Sequence, residues 1–194
     1  MSSIAGLLAS KMAGEGVAGL LSSKLGIGED QSQKAISAAV PLLLKALAKN
    51  AQSDAGPDLA GALDKDHDGS ILENIAGHIS GDNASMGTAI LGHVLGGRQG
   101  VVEAGIGKMA GLDGEQSGQV LAALAPLVMG AIGKQKKESG LGVEDLSSLL
   151  GQETKQADDG PAGSVFNQLL DSDGDGNIGD DLGELGGQLL KNFF

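Results

Sequence analysis

Apolar residues recur at helical spacing in two long segments of the chain, residues 26–49 and 111–134. In each segment, four strong apolar positions are spaced by four, three and four residues. They are Ile36, Val40, Leu43 and Leu47 in the first segment, and Leu121, Ala125, Val128 and Ile132 in the second. Residues at this spacing share one side of an α-helix, so each segment is predicted to be amphipathic. Pro41 and Pro126 lie inside the pattern and each removes an amide donor, so a kink is expected at both.

Shorter helices are predicted elsewhere, separated by glycine-rich joints. They cover residues 2–11, 16–24, 70–79, 86–95, 99–109, 143–150, 164–170 and 180–192, with a further short helix after Gly56-Pro57. No alternating run of β-branched or aromatic residues indicates a strand. The expected fold class is therefore all-α.

The two long segments also resemble each other. Residues 26–49 align with residues 111–134 at a fixed offset of 85. All four prolines fall into matched pairs, Pro41 with Pro126 and Pro57 with Pro161. We expect two pseudo-repeats of short and kinked helices packed together, at residues 1–84 and 85–194, or one compact domain. Each repeat would end in an acidic loop.

Composition and charge exclude several classes of protein. The chain has 34 glycines, three phenylalanines and no cysteine, tryptophan or tyrosine. Its core must come from small aliphatic side chains, which favour closely packed helices. Without cysteine there are no disulfides, thiolate metal sites or cysteine nucleophiles. A net charge of −12 makes nucleic acid a poor partner, because phosphate binding needs clustered lysine and arginine.

The apolar runs are too short to predict a membrane span. A spanning helix needs about 18 unbroken apolar residues, and the longest run, residues 120–132, falls short. Residues 1–21 lack the order of basic, apolar and small residues found in export signals. We expect a soluble protein, cytoplasmic by default, with secretion without a cleaved N-terminal signal as the alternative.

Two acidic segments carry the D-x-D-x-D-G spacing of a calcium-binding loop. Alternate residues of a tight loop can direct three carboxylates at one point, and the glycine permits the sharp turn. Ca²⁺ takes six to eight oxygen ligands. The predicted ligands are Asp64, Asp66, Asp68, the Ser70 carbonyl and Glu73 in the first loop, and Asp171, Asp173, Asp175, the Asn177 carbonyl, Asp180 and Asp181 in the second.

Both loops depart from the EF-hand at position 12, where Ile75 and Leu182 replace the usual glutamate. The closing carboxylate must therefore come earlier, from Glu73 in the first loop and from Asp180 or Asp181 in the second. Two Ca²⁺ sites are predicted. Mg²⁺ demands tighter octahedral geometry, and zinc does not fit because no nitrogen or sulfur ligand recurs.

Other polar residues are interpreted as structural. No nucleophile or carboxylate lies at a helical spacing that would orient His78 or His93, so catalysis is not expected there. The cluster of Lys134, Lys136 and Lys137 is interpreted as a helix C-terminus that complements the helix dipole.

One stretch of the second half resembles a known family. The residues are Ile90-Leu-Gly-His-Val-Leu-Gly-Gly-Arg-Gln99, then Gly111-Leu-Asp, Leu124-Ala-Pro-Leu-Val-Met-Gly130 and Lys134-Gln. They look like the bacterial YidB-like family (domain of unknown function 937). The resemblance implies a small all-helical protein, often with a D-x-D-G-D-G tail. It implies no catalytic residues.

These observations predict a non-enzymatic calcium-binding helical protein with a structural or self-assembly role. Its expected partner is a second copy of itself or another protein. One alternative is a calcium-responsive regulator that binds a partner protein through an exposed apolar groove. The other is a hydrolase with a metal-bound water near His78 or His93.

Overall fold

The computed structural model describes residues 3–81 and 83–158 of the 194-residue chain. The described residues form nine α-helices and no β-strand. The helices are α1 (Ile4–Gly14), α2 (Val17–Leu25), α3 (Glu29–Ala51), α4 (Gly56–Asp66), α5 (Ile75–Ser80), α6 (Ala84–Leu95), α7 (Gln99–Ala110), α8 (Gly114–Ser139) and α9 (Val143–Asp158). The predicted all-α class is confirmed. The second acidic loop and the helices predicted over residues 164–170 and 180–192 lie outside the described residues.

Helix α8 is the centre of the fold. From Val120 to Gly133 every residue except the half-buried Ala123 is buried, and α1, α3, α4, α6 and α7 all pack against it. Its apolar character therefore covers the whole circumference rather than the single stripe that the spacing predicted. Helix α3 does have a polar side, with Leu43 and Leu47 in the core. One continuous apolar core joins all these helices.

The ends of the two long helices follow local sequence rules. Gly26 and Gly111 end the preceding helices at φ 67° and 70°, a left-handed conformation that glycine adopts without strain. The Gln116 amide donates to Asp113 Oδ1 at 2.7 Å, and the Asp113 amide donates to Gln116 Oε1 at 3.1 Å. Asp113 and Gln116 thus form a reciprocal capping box at the start of α8. Both α3 and α8 continue through their internal prolines.

The helix predicted over residues 70–79 is divided in the structure. Residues Ser70–Glu73 form a 3₁₀ turn, and α5 begins only after Asn74, whose side chain accepts a hydrogen bond from the Gly77 amide at 2.9 Å. Asparagine is a strong N-cap, so the helix starts there. Helix α9 continues eight residues beyond its predicted end at residue 150, with Glu153 buried.

Close backbone approach explains several of the glycines. Gly87 of α6 lies against the Ala122 carbonyl of α8, where a Cβ would overlap the carbonyl oxygen. The missing side chain therefore sets how closely α6 packs on α8. Gly92, further along α6, is exposed and has no such neighbour.

One helix of the described residues, α8, is long and apolar enough by itself to cross a bilayer, and α1 with α2 would pass as a bent pair. In the apolar stretch of α8, 78% of the residues are buried inside the protein, as in the core helix of a globular fold. Length and composition are therefore weak evidence for a span.

These contacts predict opposite effects of the same substitution at two positions of α6. Gly87→Ala should lower the free energy of unfolding by about 1–3 kcal/mol, because the methyl group would push α6 from α8. Gly92→Ala, the control, should raise it by about 0.5–1 kcal/mol, because alanine is the better helix former. Urea denaturation of both variants measures the difference. Equal effects at the two positions would contradict the close packing.

Candidate functional site

The first acidic loop connects α4 to the 3₁₀ turn and packs onto α8. Gly69 has φ 95° and is buried, so the sharp turn predicted at this glycine is present. Asp68 Oδ1 accepts a hydrogen bond from the Ser70 amide at 3.0 Å. Leu72 is buried and Ile71 is half-buried.

Two glycines of α8 make room for this loop. A Cβ at Gly133 would overlap the carbonyl oxygen of His67, and one at Gly130 would lie 2.5 Å from Ile71 Cγ2. On the other side, the buried Gly69 faces the base of the Lys134 side chain. The loop is therefore held against the central helix by backbone contact, and its position is fixed by residues distant in sequence.

Lysines of α8 pair with two of the loop aspartates. Lys136 Nζ lies 2.5 Å from Asp64 Oδ1, and Lys137 Nζ lies 3.5 Å from Asp68 Oδ2. The Lys136 side chain is only 11% exposed, so its ammonium group is largely committed to this contact. The interpretation of these lysines as dipole partners of their own helix is incomplete, because both also neutralise the loop.

The neighbours of the Asp68 carboxyl lower its pKa. The hydrogen bonds from Ser70, the backbone amide first, lower the pKa of Asp68, and the Lys137 ammonium lowers it further. A carboxylate that accepts amide hydrogen bonds is stabilised in its charged form. Asp68 is therefore a negatively charged group held in a fixed turn.

The predicted ligands of the first loop all lie on its exposed side. Asp64, Asp66, Asp68, Ser70 and Glu73 are each exposed. Among residues 3–81 and 83–158, no three histidine or acidic side chains are gathered as a metal would need. In the structure Asp64 and Asp68 each pair with a lysine of α8. The Ca²⁺ sites stay predictions, and Asp171 to Asp181 of the second loop lie outside the described residues.

The sequence contained only part of the signal for this arrangement. The alternating aspartates and the lysine cluster are both visible in it, but Asp64 and Lys136 are separated by 72 residues. No periodicity relates positions so far apart. Their contact follows from the packing of α4 across α8.

A second candidate site is a cleft between α2, α5, α6, α7 and α8, with a volume of about 470 Å³. Aliphatic and polar residues alternate around it. They are Leu21, Lys24, Leu25, His78, Ile79, Asn83, Ala84, Thr88, Gln99, Glu103, Gly114, Glu115, Gly118, Gln119, Ala122 and Ala123. Sequence reasoning did not find this cleft, because its walls come from five separate helices.

One wall of the cleft is tied together by Lys24. Its Nζ donates to the Ile79 carbonyl at 2.6 Å and to the Gly81 carbonyl at 2.7 Å, both at the end of α5. A cation at a helix C-terminus interacts favourably with the unpaired carbonyls and the helix dipole. Lys24 thereby fixes α5 next to α2.

His78 is half-buried in the same cleft, whereas His93 is exposed on α6. Burial lowers the pKa of His78, the nearby Lys24 ammonium lowers it further, and the Ala123 carbonyl has the opposite effect. The imidazole is therefore uncharged near neutral pH.

The fold and the candidate sites define the class: an all-helical protein built around one central helix, with a loop of aspartates and a mixed polar cleft on its sides. The family described as "Bacterial protein of unknown function (DUF937)" matches residues 6–135, about two thirds of the chain, and the chain belongs to that family. This confirms the resemblance seen in the sequence. No curated protein and no solved structure matches the chain.

The environment of His78 predicts a titration below the unperturbed value of about 6.5. Because the folded state holds the proton less tightly than the unfolded chain, neutral His78 contributes stability above about pH 6.5. That contribution is lost as the pH falls through the lowered pKa. Two-dimensional NMR of the imidazole protons against pH measures the midpoint.

The Lys24→Met variant tests the cause of this shift. Removal of the ammonium should raise the His78 midpoint, while Lys11→Met on the exposed side of α1 should leave it unchanged. A midpoint at or above 6.5 in the wild-type protein would contradict the burial of His78.

Proposed function

We propose that this protein is a non-enzymatic calcium-binding helical protein in which the ion has a structural role. The observation that carries the proposal is the first loop itself: its glycine turn is formed, and two of its aspartates already contact cationic groups. Carboxylates in one short loop repel each other, and this repulsion is reduced by positive charge close by. Ca²⁺ would supply it to all three aspartates, whereas each lysine contacts one.

The lysines suggest how the ion would bind to the first loop. Ca²⁺ would have to displace the ammonium groups of Lys136 and Lys137 from Asp64 and Asp68. This exchange opposes binding, because Lys136 is largely buried and would lose its partner. We therefore propose a modest calcium affinity for this loop. The second loop, D-S-D-G-D-G, has no basic residue within it and is proposed as the tighter site.

The proposed structural role follows from what the loop connects. It lies between α4 and α5, and its backbone contacts Gly130 and Gly133 of the central helix. An ion that drew the aspartates together would stiffen this connection. It would stabilise the fold by mass action, since the unfolded chain lacks the site.

We also propose that the two halves are pseudo-repeats. Several corresponding features support this: the left-handed Gly26 and Gly111, the Gln31 and Gln116 side chains that accept hydrogen bonds from the N-cap amides of α3 and α8, and the fully buried Ser32 and Ser117. Each pair is separated by the offset of 85 residues seen in the sequence. The acidic loops would then be equivalent parts of the two repeats.

Calcium should raise the melting temperature of the full chain relative to excess chelator. The expected gain is about 2.7 kcal/mol per site at one hundred times the dissociation constant. Asp173→Asn with Asp175→Asn should remove the tighter site in calorimetric titration, and Asp64→Asn with Asp66→Asn the weaker one. Asp54→Asn, an exposed aspartate outside both loops, is the control.

Identical melting curves in calcium and chelator would refute the calcium proposal. Light scattering on the same samples tests self-association. A calcium-dependent change in mass would support an assembly role, and one unchanged monomer would confine the ion to an intramolecular role.

Replacement of the competing lysines should strengthen calcium binding. Lys136→Met with Lys137→Met keeps the aliphatic parts of both side chains but removes their charge. Without calcium the variant should be slightly less stable, since both ion pairs are lost and both are partly exposed. In calorimetry the affinity of the first loop should rise severalfold. Lys108→Met, exposed on α7, should change neither quantity. An unchanged affinity would show that these lysines do not compete with the ion.

A further inference from the structure

The cleft contains a carboxylate, that of Glu103, with one oxygen available to a ligand. Glu103 of α7 is half-buried, and its Oε1 accepts a hydrogen bond from Gln99 Nε2 at 2.8 Å. In the part of the chain that the structure describes, no group donates to Glu103 Oε2 and no lysine or arginine pairs with this residue. This half-buried carboxylate therefore has an oxygen available to a cationic hydrogen-bond donor.

The neighbouring helix makes room for this carboxylate. A Cβ at Gly118 of α8 would lie 2.8 Å from Glu103 Oε1. The bare backbone at this position therefore lets the Glu103 side chain lie against α8 at the edge of the cleft. Gln99 fixes its direction from the same helix. The position of the carboxylate is thus determined by two elements of the fold.

The charges that face the cleft favour a cation over an anion. They are the carboxylates of Glu103 and Glu115, the Lys24 ammonium and the His78 imidazole. Lys24 already donates to two carbonyls at the end of α5, and His78 is uncharged near neutral pH. At the start of α8, the Asp113 side chain already accepts from the Gln116 amide. The cleft therefore has two carboxylates and one ammonium group, and its net charge is negative.

The size and the remaining walls indicate an organic ligand. About 470 Å³ lies in the range of small-molecule sites and is much larger than a single metal ion needs. Leu21, Leu25 and Ala122 supply aliphatic surface next to the polar groups. A ligand that matches this cleft has a positively charged end and a short apolar body.

We propose that this cleft binds a small primary amine with a short aliphatic chain, whose ammonium group is held by the carboxylate of Glu103. The Gln119 amide holds Glu115 Oε1 at 3.2 Å on the adjacent wall, which places a second carboxylate at the cleft. This site is independent of the acidic loop, because the two share no residue. The proposal therefore stands whether or not calcium binds.

The test is an NMR titration of ¹⁵N-labelled full chain, in excess chelator, with three probes of equal chain length. Pentylamine should shift the backbone amides of Gly118 and Thr88, which line the cleft. 1-Pentanol should bind at least about tenfold more weakly, because it cannot form the charge-assisted hydrogen bond, and pentanoate should give no saturable shift.

Substitutions assign the effect to Glu103. Glu103→Gln keeps the shape of the side chain and should weaken the binding of pentylamine about tenfold or more. Glu138→Gln, at an exposed position on α8, should leave the affinity for pentylamine unchanged. Ala84→Leu, on the edge of the cleft, should weaken the binding of both pentylamine and 1-pentanol, because the larger side chain fills part of the cleft. It keeps the proposal testable if the Glu103 variant does not fold.

Three results would overturn the proposal. These are equal binding of pentylamine and 1-pentanol, pentylamine binding that survives Glu103→Gln, and shifts spread over the acidic surface instead of the cleft. The last would indicate non-specific attraction to a chain of net charge −12.

Discussion

The close approach of other backbones to the central helix α8 is the constraint on which the rest of the structure depends. Where α8 carries glycine or alanine, its neighbours come close enough to meet its backbone: α6 at Ala122, the acidic loop at Gly130 and Gly133. Small residues give little apolar area each, so stability must come from many close contacts. The chain has no tryptophan or tyrosine, and within residues 3–81 and 83–158 the largest fully buried side chains are leucine and isoleucine, as this close packing requires.

The same close packing decides what the acidic loop can contact. Because α4 crosses α8 near its C-terminal half, the aspartates meet the lysines that follow Gly133 in the sequence. The loop is thus neutralised from within the protein, and a free cation must compete with groups held at high local concentration. An acidic turn whose counterions belong to a neighbouring helix differs physically from one in open solvent, although the two have the same sequence pattern.

The cleft has its origin in the shape of the helices around α8. Five helices line it, and the missing side chain at Gly118 of α8 leaves room for Glu103 at its edge. Polar side chains line the opening: Gln99 and Gln119 hold the two glutamates, and Lys24 holds the end of α5. A negatively charged cleft on a negatively charged protein attracts cations from solution.

The sequence by itself determined most of the elements and several of their ends. The capping box of α8, the glycines that end α2 and α7 and the absence of β-patterned runs depend on neighbours a few residues apart, so they could be predicted. The break before α5 could have been found from Asn74 alone. The tertiary structure decided that the middle of α8 is buried on all sides, that Lys136 pairs with Asp64, and that Glu103 faces a cleft. These features join residues far apart in the chain, and their geometry exists only once the helices have packed.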